Sequence, residues 1–513
     1  MRDSRKNVLV IITDQQRASE IFTEEGEGAL ELPAMKRLRK HGLSFANTVC
    51  NTCMCSPSRS TLFTGRYPAQ HGVTQTLSYG GKYAVGQHSL DYTLPNMGNI
   101  FANAGYDVQY RGKWHLSKAP NSPEDPNALM ASDVAMFGFK GWIPPDAGED
   151  AAPEHFGGGW PNQDARYIAE AKEWLSARKE SGDEQPFLMV LSLVNPHDVL
   201  GYPNAVQYGY HPADWERRNL KLPPNFREDL ATNNKPSAQA QLLASAAYML
   251  GPLPGPEDKL NYLNFYGTLC ERVDRQIDEV LELFFDKDKI HGEKPNQFFN
   301  DTLILRMADH GEMGMSHGGM RQKAFNVYEE TMRVPMVWSN PDMFERPQVT
   351  NSLMSLVDVL PTLCSALIPD KVPDDTVAGF AGADMTPVLA DPKASVQEQI
   401  LFTFDDIRAS SATQEVVVHA PDRIRCVRTE NWKYAEYFSA DSSYPPEYEL
   451  YDLNAPTEGN GIGKNGLEYD NLYYDADGKP NHGDGIRALV ADMRGRLQTL
   501  MEEKLYGTAP PPS

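Results

Sequence analysis

Apolar and polar positions along the chain fall into two alternating textures. Short strand-like apolar runs occur at Val8 to Ile12, Asp107 to Tyr110, Phe187 to Val194, Thr302 to Met307 and Val334 to Trp338. Between them lie helix-period patterns at Ala34 to Lys40, Leu94 to Ala104, Asp164 to Lys179, Asn261 to Phe285 and Leu353 to Leu367. Strands that alternate with helices predict an α/β fold: a large, mostly parallel sheet sandwiched by helices on both faces. Two Pro- and Gly-rich stretches, Ala119 to Pro161 and Gly201 to Pro256, interrupt the alternation and read as long excursions of the kind that form lids or binding loops.

After Leu367 the order changes. Strand patterns at Gln399 to Phe404, Ile424 to Thr429, Trp432 to Phe438 and Glu449 to Leu453 precede one charged amphipathic helix from Asp484 to Lys504. Strands grouped ahead of a helix predict a smaller α+β subdomain with an antiparallel sheet and a terminal helix. The expected division is 1–392 and 393–513, with a frayed tail at Ala509 to Ser513.

Composition adds exclusions. The chain has 513 residues, long enough to bury a large core, and 70 acidic against 48 basic side chains give a formal charge of −22. That balance argues against a sequence-independent grip on nucleic acid or on acidic lipid. No stretch approaches the ~20 apolar residues needed to span a bilayer, so no membrane role is expected. The basic N-terminus is followed by an apolar run that stops at Asp14, too short for a signal-peptide core, which predicts a first buried strand and a cytoplasmic location.

The six cysteines are Cys50, Cys53, Cys55, Cys270, Cys364 and Cys426. Three within six residues and three scattered make a poor disulfide framework, and no second Cys or His pair completes a zinc site. From Cys55 to Arg66 the chain reads as a short helix, with Ser56 able to cap, Pro57 suited to the first position and Gly65 to the residue after the last turn. Cys55 then lies just ahead of a helix N-terminus, which favours an anion, and Arg59 can reach back over it. The segment reads equally well as a helix whose Cys packs inward and whose Arg is solvated.

The strand ends shift that balance. The runs stop at Asp14-Gln15, at Gly112-Lys113-Trp114-His115, at Asn195-Pro196-His197 and at Asp309-His310-Gly311. Polar and ionisable groups gather at the carboxyl ends of the strands, the edge where open α/β sheets bind ligands. Asp14, Asp309 and His310 can begin a divalent-cation site without completing its shell. Water, a substrate oxygen or the side chain at position 55 would have to supply the rest, with a thiolate favouring a soft metal and an oxygen function a hard one.

Cys55-Ser-Pro-Ser-Arg59 with Thr64-Gly-Arg66 resembles the signature of the type I sulfatases, in the alkaline-phosphatase superfamily. Gly105-Tyr106 through Gly112-Lys113-Trp114-His115 resembles their second signature, with Val108 and Arg111 departing from the usual residue types. Asp14, Pro196-His197, Asp309-His310-Gly311, Lys323, Tyr328-Glu-Glu330, Arg333-Val-Pro335 and Tyr448 to Leu453 follow in the family's order.

The resemblance implies a sulfuric-ester hydrolase acting on a small anionic sulfate ester. It implies that a dedicated maturation enzyme oxidises Cys55 to formylglycine, whose hydrate provides an oxygen ligand to one divalent cation beside Asp14, Asp309 and His310. One hydroxyl, its anion stabilised by the cation and Arg59, attacks sulfur and expels the alcohol. The other then loses a proton to His115, and collapse releases sulfate and restores the aldehyde. Lys113, His197 and Lys323 bind the sulfate oxygens or protonate the leaving oxygen. A thiol could not complete the second half, because a cysteine–sulfate adduct has no adjacent hydroxyl to drive elimination.

Gln15 stands where a second Asp is frequent, and His310 where Asn is frequent. The pair resembles the choline-sulfatase and phosphonate-monoester-hydrolase branches. The exchange removes one negative charge and adds an imidazole, which makes Mn2+ a stronger alternative to Ca2+, the family default that still ranks first, and Gln15 is left out of the ligand set as an outer residue. A phosphonate monoester or phosphodiester hydrolase with the same site is the runner-up activity. A degenerate binding module is a third reading, opposed by the presence of every expected polar residue.

Cys50 and Cys53 read as packing thiols, His71 as a helix-end histidine, and His317 as a pocket residue without a role. The stretch from Glu468 to Asp477 reads as a solvated turn region, and a homo-oligomer is left open. Selectors of the alcohol are expected in Gln75 to Tyr92, Ala119 to Pro161 and Asp198 to Pro256.

Overall fold

Strand β1 (Asn7–Asp14) is buried from Val8 onward. Val8, Val10 and Ile12 face one core while Leu9 and Ile11 face another, which is why the run is continuously apolar rather than alternating. The computed structural model describes residues 6–18, 30–79, 84–148, 152–216, 220–288, 292–409, 416–419, 421–454 and 468–506. The tail at 509–513, expected to fray, lies outside them.

Six more strands complete the main sheet: β2 (Gly42–Phe45), β3 (Asp107–Gly112), β4 (Phe187–Pro196), β5 (Thr302–Ala308), β6 (Met336–Ser339) and β7 (Gln348–Thr350), in the spatial order β7-β2-β6-β5-β1-β4-β3. Val8 lies opposite Leu188 on one side and Leu303 on the other, and Val108 opposite Leu188, all in parallel register. Only β6 runs against its neighbours β2 and β5. The sheet is thus mixed in one strand and otherwise parallel, and the ends of β1, β3, β4 and β5 share one edge.

One face of the sheet is covered by α1 (Pro33–Arg39), α4 (Gln163–Ser181) and α6 (Pro256–Leu281), through Met35, Leu38, Ile168, Leu175, Ile277 and Val280. The other face carries α2 (Cys55–Thr64), α3 (Met97–Asn103) and α7 (Val359–Leu367), through Leu62, Phe63, Phe101, Leu360 and Leu363.

Several boundaries differ from the pattern. Helix α3 starts at Met97 because Asn96 caps it, accepting from the backbone N–H groups of Gly98 and Asn99. The helix expected from Leu353 begins only at Val359. Before it, Met354–Ser355 pairs in parallel with Thr48–Val49, and the Asp358 carboxylate accepts from the Ser355 N–H at 2.7 Å. The second excursion contains helix α5 (Ser237–Leu250), whose Gln239 donates to Tyr437 and Glu449. Strands β2 and β7 were not anticipated, being too short to show a period.

The C-terminal elements are β8 (Gln399–Phe404), β9 (Arg423–Thr429), β10 (Trp432–Phe438), β11 (Glu447–Asp452) and α8 (Asp484–Met501). The strands form an antiparallel sheet in chain order. Leu401, Val427, Tyr434 and Leu450 pack on Met493, Leu497 and Leu500 of α8, while Phe402, Ile424, Cys426 and Tyr437 face the main body. Asn51 also ties the two sheets together, its amide N–H donating to the carbonyl of Leu401. No helix among the described residues is long and apolar enough to cross a membrane.

Candidate active site

Four strand ends and one helix start converge on a single point. At the tip of β3, Gly112 has φ 108°, and a Cβ there would sit 1.8 Å from the carbonyl oxygen of Ser192. Only glycine lets β3 approach β4 so closely, and that approach delivers Lys113 and His115 to the edge. Helix α2 begins at Cys55 itself, with Met54 as its N-cap residue and no side-chain cap. This corrects the expected cap: Ser56 lies inside the helix and its Oγ accepts from the N–H of Leu77 at 3.0 Å. Gly65 closes the helix in the left-handed conformation, as its position after the last turn predicted.

Cys55 Sγ lies 3.1 Å from Nε2 of His310 and 3.7 Å from Oδ1 of Asp14. One ligand atom from each of Asp14, Cys55, Asp309 and His310 falls within 4.8 Å of the others, and all four residues are buried. Arg59, fully buried, donates from Nε to Asp309 Oδ2 at 2.9 Å, from Nη2 to Asp14 Oδ2 at 3.2 Å and from Nη1 to Ser192 Oγ at 2.7 Å. Lys113 donates to Asp14 and to the carbonyl of Gly148, and Lys323 to the Oε1 of Gln15.

The electrostatics follow from this packing. Burial pushes the Asp14 carboxyl up, but positive charge, that of Lys113 first and of Arg59 and His310 after it, holds it well below the usual carboxylate range. For Cys55, burial and Asp14 raise the thiol while Lys113, Lys323 and His310 outweigh them, leaving it below its ordinary value. Burial pulls His310 down, yet Asp309 leads the contributions that lift it above the usual imidazole range. His115 and His197 are both held well below that range by burial and then by Lys113, so both are neutral imidazoles.

Tautomers can be assigned where a carbonyl is the partner, since a carbonyl only accepts. His115 Nε2 lies 2.7 Å from the carbonyl of Leu77 and so carries the proton, which leaves a lone pair on Nδ1. That Nδ1 has no hydrogen-bond partner. His310 Nδ1 faces the carbonyl of Gly311 at 3.1 Å, which turns Nε2 toward Cys55. His197 also leaves its Nδ1 without a partner.

Residues that the sequence pattern did not single out hold these groups in place. Asp146, within the first excursion, accepts from the N–H groups of Trp114 at 2.7 Å and His115 at 2.8 Å. Asp164 accepts from Val194 N–H at 2.7 Å and Asn195 N–H at 2.9 Å, just ahead of His197. Glu312 accepts from the Gln15 amide at 2.5 Å and from Tyr262 at 2.6 Å. A lone acidic residue in a loop, as at Asp146, or at a helix start, as at Asp164, carries no spacing signal for the site, whereas Ser192, within a strand already identified, and Glu312, just beyond Asp309-His310-Gly311, were within reach of sequence reasoning.

Other histidines and thiols lie apart. His71 accepts at Nδ1 from Val73 N–H at 3.2 Å and meets Thr61 Oγ1 at 3.1 Å through Nε2, and burial pushes it down to about 3. Cys50 donates to the carbonyl of Thr331 at 3.7 Å, and burial raises the thiols of Cys50 and Cys53. His317 belongs to a second cluster with Glu330 and Glu468. Glu468, in the stretch expected to be a solvated turn, is instead buried, because its carboxylate pairs with Lys433.

The sulfatase family model matches residues 6–367, which carries the whole main sheet and every residue of this site. The chain belongs to the sulfatase family. It is a sulfuric-ester hydrolase of the alkaline-phosphatase superfamily. A second model, N-sulphoglucosamine sulphohydrolase, C-terminal, matches residues 317–474. An ulvan-active sulfatase of Formosa agariphila is 24% identical over 414 residues, covering 78% of this chain and 68% of that protein. Among solved structures, BT1596, a 2-O GAG sulfatase, superposes with a TM-score of 0.67 at 20% identity, covering 99% of this chain and 95% of the other. A phosphonate monoester hydrolase of Agrobacterium radiobacter superposes with a TM-score of 0.63 at 21% identity, covering 98% and 96%.

Proposed function

We propose that this sulfatase works through Cys55 after a maturation enzyme has converted it to formylglycine, with one divalent cation held by Asp14, Asp309, His310 and the oxygen then carried at position 55. The observation that carries the reading is the convergence of those four ligand atoms within 4.8 Å at the start of α2. Two carboxylates and one imidazole suit Ca2+ first and Mn2+ second, and the thiol sulfur stands where a harder oxygen ligand would lie after conversion. When present, the hydrated aldehyde supplies paired hydroxyls, one to attack sulfur and one to expel sulfate, and the cation supplies Lewis acidity.

The chain's own residues have separable tasks. Arg59 is fixed by two carboxylates and Ser192, so its charge lies beside position 55 without reorganising during the reaction. Lys113, anchored on Asp14, and Lys323, anchored on Gln15, bind sulfate oxygens. His197 is neutral with a free Nδ1, suited to contact the leaving oxygen. His115 presents its Nδ1 lone pair, held by the Leu77 carbonyl and the Asp146 contact, and accepts the proton of the second half-reaction there.

Mass spectrometry of the peptide bearing residue 55, after co-expression with a maturation enzyme, tests the central claim. The expected result is conversion of thiol to aldehyde and loss of turnover in Cys55→Ala. An unmodified thiol in fully active protein would overturn it.

A second reading, hydrolysis of phosphonate monoesters or phosphodiesters, is favoured by the Gln15 and His310 pair and by the phosphonate monoester hydrolase likeness. Parallel kcat/KM measurements on aryl sulfate, aryl phosphonate and phosphodiester rank the two, and sulfate in last place would put the second reading first.

A further inference from the structure

Away from Cys55, a second group of metal-capable side chains meets inside the protein. His317, Glu330 and Glu468 each offer one ligand atom, the three atoms lie within 4.8 Å of one another, and all three residues are buried. They come from distant parts of the chain. His317 lies in the loop that continues to Lys323, Glu330 in the short helix Glu329–Met332, and Glu468 in the stretch between β11 and α8. Both His317 and Glu468 sit at positive φ, 49° and 52°, a conformation that non-glycine residues hold only when their surroundings enforce it.

The imidazole is prepared for a ligand. His317 Nδ1 lies 2.6 Å from Glu228 Oε2, and since a carboxylate only accepts, Nδ1 carries a proton and donates it to this hydrogen bond. Glu228 is itself held by Lys235 at 3.3 Å and by Asn233 at 2.8 Å. Tyr328 stacks on the imidazole with ring centroids 3.5 Å apart, fixing its plane. Nε2 is left pointing at the two carboxylates. It has no hydrogen-bond partner and is 3.7 Å from Glu330 Oε2, beyond hydrogen-bond distance. A carboxylate behind one ring nitrogen and an unpartnered second nitrogen is the arrangement of a metal-ligating histidine.

The neighbouring cations divide their contacts among several acceptors. Lys433 contacts Glu468 Oε1 at 2.5 Å but also Glu329 Oε1 at 2.7 Å, and Arg428 donates to Glu329 Oε2 at 2.9 Å and to its Oε1 at 3.1 Å. Lys235 is engaged by Glu228 and by the backbone carbonyl of Glu468. Glu468 Oε2 accepts from the Glu329 N–H at 2.7 Å, and a carboxylate oxygen retains a second lone pair after one such bond.

We propose that His317 Nε2, Glu330 and Glu468 form a second cation site, separate from the one at Cys55. With only three side-chain ligands and no fourth oxygen of the kind position 55 would supply, His317, Glu330 and Glu468 suit Zn2+ or Mn2+ better than Ca2+, which takes about six to eight oxygen ligands. The ion fastens the C-terminal stretch to the loop that bears Lys323. Its rival is a proton on Nε2, which would make the cluster an ion pair without metal.

Metal counting decides between them. Full-length protein is stripped with chelator, reloaded with Zn2+ or with Mn2+, dialysed and analysed by mass spectrometry for metal per chain, alongside thermal unfolding. The expected result is two equivalents in the wild type, one in Asp309→Asn, and one in His317→Gln or the isosteric Glu330→Gln, with the Tm gained on loading reduced in each. A single equivalent that survives Asp309→Asn and disappears in His317→Gln also supports the second site, and speaks against the first. A single wild-type equivalent that is lost in Asp309→Asn and unchanged in His317→Gln overturns the proposal, and because it is read on the wild type as well, misfolding of a variant cannot hide it.

Discussion

Arg59 Nε lies 2.9 Å from Oδ2 of Asp309, with both side chains fully buried. Through that pair, helix α2 is fixed to the end of β5, and Nη2 extends the hold to Asp14 on β1. Removing one member of a buried ion pair leaves an uncompensated charge and costs about 3–5 kcal/mol. Arg59→Met is therefore expected to lower stability by that order in urea unfolding. Because the exposed need is for positive charge between Asp14 and Asp309, saturating divalent cation should restore part of the loss in the variant and proportionately less in Arg59→Lys. Equal unfolding midpoints for Arg59→Met and the wild type in chelator would contradict this.

His71 makes acid sensitivity measurable at one residue. Burial and Arg66 push it down to about 3, whereas an unfolded chain titrates near the ordinary imidazole value of about 6.5. The unfolded state then binds the extra proton first, so this contribution is complete above about pH 6.5 and is lost as pH falls toward 3, at ~1.4 kcal/mol per unit. Stability measured between pH 6 and 4 should fall less steeply in His71→Asn, which keeps an acceptor for the Val73 N–H. Parallel slopes in the two proteins would assign the acid sensitivity elsewhere.

Cation uptake should be linked to protons through His310. Asp309 holds this imidazole above its ordinary range against burial, and a nitrogen that carries a proton cannot ligate. Raising the pH removes the proton, so apparent cation affinity is expected to increase with pH and each binding event to release protons. Calorimetric titration in buffers of different ionisation enthalpy reads this directly. A heat independent of buffer would exclude His310 as a ligand that must first deprotonate.

What was legible in the sequence tracks the length and redundancy of each signal. The run from Phe187 to Val194 is buried on both faces and could hardly be anything but a central strand, and Cys55 with Arg59 carried the site because their spacing within one helix is fixed. Strand β7 has only three residues, and its Val349 is 66% exposed, so no pattern marks it. Helix α5 was hidden inside a stretch whose Pro and Gly content dominated the pattern, although Ser237 to Leu250 is rich in strong helix formers. Glu468 looked solvated because its partner, Lys433, lies on β10 of the small sheet, 35 residues away, a relationship that only the fold creates.

His115 offers the sharpest test of the proton assignment. With Nε2 bound to the Leu77 carbonyl, the free lone pair lies on Nδ1. Loss of a positioned general base typically costs 10²–10⁴-fold in rate. His115→Ala should lower kcat on this order with a smaller change in KM, while Asp146→Asn, which loosens the turn without removing the base, should cost less. A fall confined to KM in His115→Ala would make it a binding residue instead.

Glu312 controls which end of the Gln15 amide faces the site. Its carboxylate accepts from Gln15 Nε2 at 2.5 Å, and a carboxylate can only accept, so Oε1 is turned toward the Lys323 ammonium. Tyr262 at 2.6 Å and the Gln322 N–H at 3.0 Å fix Glu312 in turn, both to its Oε1. Replacement by Gln offers an NH2 that can oppose the Gln15 NH2, so the amide is free to flip and present a donor to Lys323. Groups that orient a functional side chain in this way typically carry 10–100-fold in activity or metal affinity. Glu312→Gln is expected to lose about that much kcat/KM while keeping its secondary structure, and Tyr262→Phe to lose less because two backbone N–H groups still hold Glu312. The double substitution Gln15→Ala with Glu312→Gln supplies the check. If Glu312 acts through Gln15, adding its substitution to Gln15→Ala should change kcat/KM little, whereas a full additive loss would show that Glu312 serves the site by another route.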